Sequence, residues 1–193
     1  MLGKSILLFL LKSMDILAVI FLIAIGFILL SICYWTIKTG ISPMPTCAKV
    51  QKDLLSALPE HLEGTILELG SGWGTLAFAL GRRYPNCQVI GYEISTIPYL
   101  ISLLLQRITK QKNVTFKKKN FLKEPLSQAT MLVCYLFPVA MQNLKDKLEK
   151  DGNNAGQLIV SHTFYIPGLK PEKTLEVPDL YHTKIFFYKS PNN

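Results

Sequence analysis

The longest apolar run in the chain is Ile16–Ile37, 22 residues without a charged side chain. As a helix rising about 1.5 Å per residue it spans roughly 33 Å, enough for a bilayer core of about 30 Å. After it the pattern changes to short apolar blocks separated by polar turns. Cys47–Leu58 repeats apolar residues at helical spacing, with Val50, Leu54, Leu55 and Leu58 on one face and Thr46 as its N-cap. Thr65–Leu69 is a short apolar strand, and Leu76–Leu80 is a helix that ends at Gly81. Gln88–Glu93 is a second strand and Ser95–Ile108 a leucine-rich helix with Pro98 in its first turn. Strands at Asn113–Lys117, Ala129–Leu136, Gln157–Ser161 and Thr183–Tyr188 follow, with a helix over Val139–Lys150. Ala129–Leu136 is apolar throughout, as in a strand covered on both faces. Strands alternating with helices predict an open, mainly parallel α/β sheet.

The apolar run carries Tyr34 and Trp35 at one end, where interfacial aromatics belong, and Lys38 follows. A cleaved signal peptide has an apolar core of about 7–15 residues and a small-residue cleavage site, and this run has neither. A buried core helix would carry a polar stripe. An uncleaved membrane anchor over residues 1–40 is therefore expected, with a transmembrane helix at about 16–37 and a catalytic domain over 41–193. Leu2–Leu11 is too short to span alone; it lies along the membrane surface or extends the anchor. Gly40–Thr46 is the linker, held extended by Pro43 and Pro45. Lys38, Lys49 and Lys52 on the far side of the run lean towards a single-pass topology with the catalytic domain cytoplasmic.

The chemistry concentrates in Thr65-Ile-Leu-Glu-Leu-Gly-Ser-Gly-Trp-Gly-Thr75. A strand ends in a turn with Gly70, Gly72 and Gly74, and a helix begins at once. Glycine permits both the tight turn and close approach of a ligand to the backbone. A dinucleotide fingerprint would need glycine at position 75, which is threonine. The spacing Glu68-x-Gly-x-Gly-x-Gly instead resembles motif I of the seven-strand S-adenosyl-L-methionine (SAM) methyltransferases. An acid at the strand end suits an ammonium and a sulfonium and repels a pyrophosphate. About 20 residues on, Glu93 ends the second strand, where a carboxylate accepts both hydroxyls of a ribose.

In such a sheet the ligand lies beyond the carboxyl ends of the strands. Candidate cofactor residues are Glu68 for the methionyl ammonium, Gly70, Ser71, Gly72 and Gly74 in the turn, Glu93 for the ribose, and Ile94 against adenine. Asn120 and Phe121 complete the set, with the Asn120 side-chain oxygen facing the adenine amino group; the alternative for Asn120 is a plain turn residue. Tyr135 and Pro138 close the acceptor side, and Tyr135 is equally read as strand-end packing. His162 follows the fifth strand and is a candidate proton acceptor near pH 7, although a lone histidine is commonly structural.

The chain carries 21 basic and 13 acidic residues, net +8. Lys110, Lys112, Lys117, Lys118, Lys119 and Lys123 cluster. Beside a membrane anchor this charge reads first as attraction to anionic lipid, or simply as a solvated edge. No aromatic-interleaved basic stripe supports nucleic acid as a partner. Cys33, Cys47, Cys87 and Cys134 contain no C-x-x-C pair, so neither a metal site nor a disulfide framework is expected.

Beyond motif I, four segments carry a closer resemblance: Asn120–Thr130, Tyr135-Leu-Phe-Pro138, Leu144–Glu149 and Ile159-Val-Ser-His-Thr-Phe-Tyr-Ile-Pro-Gly168. They are similar to a family of protein-lysine methyltransferases. That family includes a broad-specificity archaeal enzyme and a membrane-anchored mitochondrial enzyme acting on the c subunit of ATP synthase. The resemblance covers about residues 41–188. It implies a Rossmann-like seven-stranded sheet, SAM as cofactor and a protein lysine as acceptor, a membrane protein among the possibilities. It also implies that Thr46, in Pro43-Met-Pro-Thr46, lies near the cofactor. Two positions depart from the family pattern: Trp73 stands where an acid is usual, and Asn120 where aspartate is common. A lipid or small-molecule methyltransferase, or a non-enzymatic SAM-binding membrane module, is the alternative function.

Overall fold

The structure is a computed structural model that describes residues 2–40, 44–152 and 156–190. The middle of the expected linker, residues 41–43, and with it the expected domain boundary, lies outside the described residues. Helix α1 covers Leu2–Thr39 without a break, so Leu2–Leu11 extends the apolar helix. The stretch Asp15–Lys38 is long and apolar enough to cross a membrane, and none of it is buried against the protein. At its end the Lys38 ammonium sits 5.5 Å and 5.2 Å from the ring centroids of Tyr34 and Trp35.

The remaining elements are α2 (Ala48–Ala57), β1 (Thr65–Leu69), α3 (Thr75–Arg83), β2 (Gln88–Glu93), α4 (Thr96–Thr109) and β3 (Val114–Lys118). A 3-10 turn at Phe121–Lys123 precedes β4 (Met131–Cys134), α5 (Pro138–Asp151), β5 (Leu158–His162), β6 (Lys173–Glu176) and β7 (Lys184–Lys189). The strands form one seven-stranded sheet in the order β3-β2-β1-β4-β5-β7-β6. β1 to β5 are parallel and β7 runs antiparallel between β5 and β6. This is a Rossmann-like methyltransferase fold, as expected.

The strand alternation divides the core in two. Ile66, Val89, Met131, Val133 and Val160 face the layer that holds α2, α3 and α4. Leu67, Leu69, Leu132, Cys134 and Ile159 face α5 and the 3-10 turn. β4 is buried along its whole length. With the helix layers on both faces, the carboxyl ends of β1, β2, β3 and β4 are left to form a crevice. The end of α1 reaches this region: a Cβ on Gly40 would stand 2.8 Å from the Phe137 ring, and α1 also touches α4.

Two local expectations are corrected. Gly81 does not end α3; it lies inside the helix, where a Cβ would stand 2.4 Å from a Val114 methyl. Its role is close packing of α3 on β3. Thr46 is not the cap of α2: Cys47 holds that position without a side-chain hydrogen bond, and the Thr46 hydroxyl is committed elsewhere.

Candidate active site

The β1–α3 loop is built by backbone bonds. The N–H groups of Gly70 and Ser71 both donate to the Tyr92 carbonyl at 2.9 Å, and Gly74 N–H donates to the Ser71 carbonyl at 2.8 Å. These bonds fold the loop back over the end of β2, which only left-handed backbone at Gly70, Gly72 and Gly74 allows. The three glycines then do different things. A Cβ on Gly70 would meet Leu136 at 2.8 Å, and one on Gly74 would meet the Phe116 ring at 2.5 Å. A Cβ on Gly72 would meet nothing within 4 Å.

That open space belongs to a cavity of about 340 Å³ at the carboxyl ends of the strands. Of the expected residues, Thr46, Glu68, Gly70, Ser71, Gly72, Glu93, Ile94, Asn120, Phe121 and Tyr135 line it. Gly74, Pro138 and His162 do not. Gly74 faces Phe116 and Ser102 on the packed side of the loop, which corrects its assignment to the ligand. Pro138 opens α5 and is exposed away from the cavity wall, and Phe137, Val139 and Ala140 form that side of the mouth instead.

Glu68 is 5% exposed, and burial raises its carboxyl well above the usual carboxylate range. The Ala77 backbone N–H, in the first turn of α3, pulls the other way, and the charge of Glu93 raises it further. Its Oε2 has no hydrogen-bond partner among the described residues, and neither has the Ser71 hydroxyl. A buried polar atom left without a partner is costly, and in a cavity wall it calls for a partner from water or a ligand. Glu93 is buried as well. Its Oε2 accepts from Gly72 N–H at 2.7 Å and its Oε1 from Ser95 N–H at 2.6 Å. Glu93 therefore shapes the loop, and each oxygen keeps a second lone pair. The Asn120 side-chain oxygen accepts from Leu122 N–H at 3.0 Å, so its first duty is to start the 3-10 turn.

His162 is 3% exposed, and burial pushes its pKa down to about 4. So weak a base takes up no proton near pH 7, which corrects its reading as a proton acceptor there. Its Nε2 lies 3.1 Å from the Thr46 hydroxyl and its Nδ1 3.2 Å from that of Thr163. The Tyr135 ring stacks on it at 4.3 Å between centroids. His162 thus fixes two residues that do line the cavity. Sequence reasoning missed Lys38, Met44, Trp73 and Asn143 at the cavity. Trp73, flagged only as a departure from a pattern, carried the one usable signal; the others reach the cavity through tertiary packing.

Comparison with known proteins agrees with this fold. Residues 68–173 match the model of the ANTKMT methyltransferase domain. A protein-lysine N-methyltransferase from Saccharolobus islandicus (strain REY15A) is 27% identical over 150 residues, covering 75% of this chain and 91% of that protein. An RNA methyltransferase from Salinibacter ruber, solved in complex with S-adenosyl-L-homocysteine, superposes with a TM-score of 0.68 at 22% identity. That match covers 78% of this chain and 95% of the other. A SAM-dependent methyltransferase from Aquifex aeolicus gives 0.59 at 14% identity, covering 72% and 88%. The family match spans more than half of the chain, and the fold, the glycine loop and its two buried acids agree with it: the protein belongs to the ANTKMT methyltransferase domain family and is a SAM-dependent methyltransferase.

Proposed function

We propose that this chain is a membrane-anchored protein-lysine methyltransferase, with α1 (within residues 1–40) as its anchor and residues 41–193 as its catalytic domain. The observation that carries the cofactor half of this reading is the pair of features in one cavity wall, the orphaned Oε2 of Glu68 and the open space over Gly72. The residues fit SAM. Glu68 meets the methionyl ammonium, and Gly70, Ser71 and Gly72 give room to the methionyl chain. The remaining lone pairs of Glu93 take the ribose hydroxyls, while Ile94 and Phe121 flank the adenine. With its oxygen engaged, Asn120 offers its amide N–H groups to a ring nitrogen. SAM supplies a methyl carbon activated by a sulfonium; the protein's share is positioning, water exclusion and keeping the acceptor amine neutral.

The mouth supports that last task. Met44, Phe137 and Val139 give it apolar walls, and the Lys38 ammonium stands there, while Lys119 is paired with Glu124 at 2.9 Å. The apolar walls and the Lys38 charge disfavour an ammonium and favour a free amine. Tyr135, held by His162, orients the acceptor. The likeness to a protein-lysine methyltransferase supports lysine as the acceptor. The apolar helix α1 and the supply of SAM from the cytosol support a single-pass protein with its catalytic domain cytoplasmic. A membrane-dissolved lipid or small-molecule acceptor is the second reading, favoured by Lys38 of α1 at the cavity itself.

The full chain in vesicles, incubated with methyl-labelled SAM and a membrane extract, is expected to place the label in protein and, after acid hydrolysis, in methyl-lysine. Gly72→Val should abolish the transfer. Label recovered in the lipid fraction alone would select the second reading.

A further inference from the structure

Helix α4 has two apolar faces. One packs on the core through Tyr99, Leu103 and Leu105. The other is open: Leu100 is 52% exposed, Leu104 56% and Ile108 66%, with Ile101 beside them. These four recur at helical spacing, one continuous stripe along a helix of 14 residues. A lone exposed leucine needs no explanation, but an ordered stripe marks an interaction surface.

Two observations say what covers it. First, the stripe adjoins α1. The two helices touch, and the apolar stretch Asp15–Lys38 of α1 has no buried residue, so the surfaces join. Second, the charge along the chain from α4 to the 3-10 turn has one sign. Ile94–Lys123 contains no acid and seven cations, among them exposed Arg107, Lys110 and Lys112 at the end of the stripe. Two copies meeting through this face would bring the cations of each onto the other, which is repulsive. An anionic bilayer surface meets both the apolar stripe and the cations.

We propose that the outer face of α4 is a second membrane contact, with Leu100, Ile101, Leu104 and Ile108 in the headgroup–acyl boundary and Arg107, Lys110 and Lys112 among lipid phosphates. The proposal rests on the anchored reading of α1. Interfacial helices of this kind settle about 5–10 Å into the boundary. The catalytic domain then lies against the bilayer in one orientation.

The test uses the full chain in vesicles of three parts phosphatidylcholine to one part phosphatidylglycerol. The exposed Cys33 and Cys47 are replaced by serine. A nitroxide is attached in turn at Leu22→Cys in α1, Leu104→Cys in α4 and Lys170→Cys at the far edge of the sheet. Collision rates with oxygen, which prefers lipid, are compared with those of a water-soluble nickel chelate. The ratio is expected to favour oxygen at 22 and 104 and the chelate at 170. Oxygen preference at 22 with chelate preference at 104 would overturn the α4 contact and leave the anchor standing. Chelate preference at 22 would remove the anchor, and the proposal with it. A label at 104 shielded from both reagents would place protein on the stripe and overturn the proposal. In vesicles of phosphatidylcholine alone the 104 value should shift towards water while 22 stays; equal 104 values would overturn the choice of an anionic surface.

Discussion

Glu68 is a buried carboxyl whose Oε2 has no hydrogen-bond partner among the described residues. Burial holds its proton on, and in the proposed complex the ammonium of SAM would stabilise the carboxylate and send that proton to solvent. Binding should therefore release a proton at pH values above the ordinary carboxyl pKa of 4.5 and below the raised one. Affinity should rise with pH across that window, because deprotonating Glu68 beforehand removes a cost of binding. Calorimetry of SAM binding to the full chain, in two buffers of different ionisation enthalpy, reads the proton count directly. Glu68→Gln should lose the release and weaken binding by roughly ten- to a hundred-fold, the value of one charge-assisted bond of about 1.5–3 kcal/mol. Equal proton release from both proteins would move the linkage to another group. Glu68 was visible in the sequence because an acid in an apolar strand stands out. The separate duties of Gly70, Gly72 and Gly74 were not, because they depend on Leu136, Phe116 and open space brought together by the sheet.

At the scale of elements, the tie between the segment after α1 and strand β5 runs through Thr46, His162 and Tyr135. The folded protein keeps His162 neutral down to about pH 4, while the unfolded chain protonates it near 6.5. Between those values the unfolded state binds more protons, so stability is complete above pH 6.5 and falls as pH drops through the window. The shift corresponds to about 3 kcal/mol. His162→Gln should be less stable at pH 7 and should lack this loss; urea unfolding of both proteins at pH 7 and 4.5 measures the difference. Glu68 acts in the opposite direction above pH 4.5, so the comparison with the variant isolates the histidine. A parallel pH response in the two proteins would show that His162 does not carry the effect. The strands with strong apolar runs, β1, β2, β4 and β5, were legible from the pattern to within a residue or two. β6 was not, since Lys173–Glu176 is an edge strand with three of its four residues exposed. Its pairing comes from β7, beyond the reach of a local pattern.

At the scale of the molecule, a helix of 38 residues is joined to a compact sheet domain by a short segment. A transmembrane helix resists alkaline carbonate and high salt, whereas attraction between cations and lipid is screened by salt. The full chain should remain in the membrane pellet after both washes. Release by salt alone would reduce α1 to a peripheral contact. The long apolar helix was legible from composition, because 22 residues run without a charge. Its entry into the active site through Lys38 was not legible, since it depends on where α1 ends relative to α5.

That closeness sets a working height. Thr39 ends α1, and Thr46 already lines the cavity. The seven peptide units between them reach at most about 25 Å when fully extended, at about 3.6 Å each. With α1 across the bilayer, the methyl-transfer mouth cannot rise more than that above the headgroups. An otherwise suitable side chain on a distant domain is out of reach, while one in a juxtamembrane loop meets the mouth by lateral diffusion. Selection among acceptors then falls to their distance from the membrane plane, and lengthening the 40–45 segment would admit new substrates without altering a single residue of the pocket.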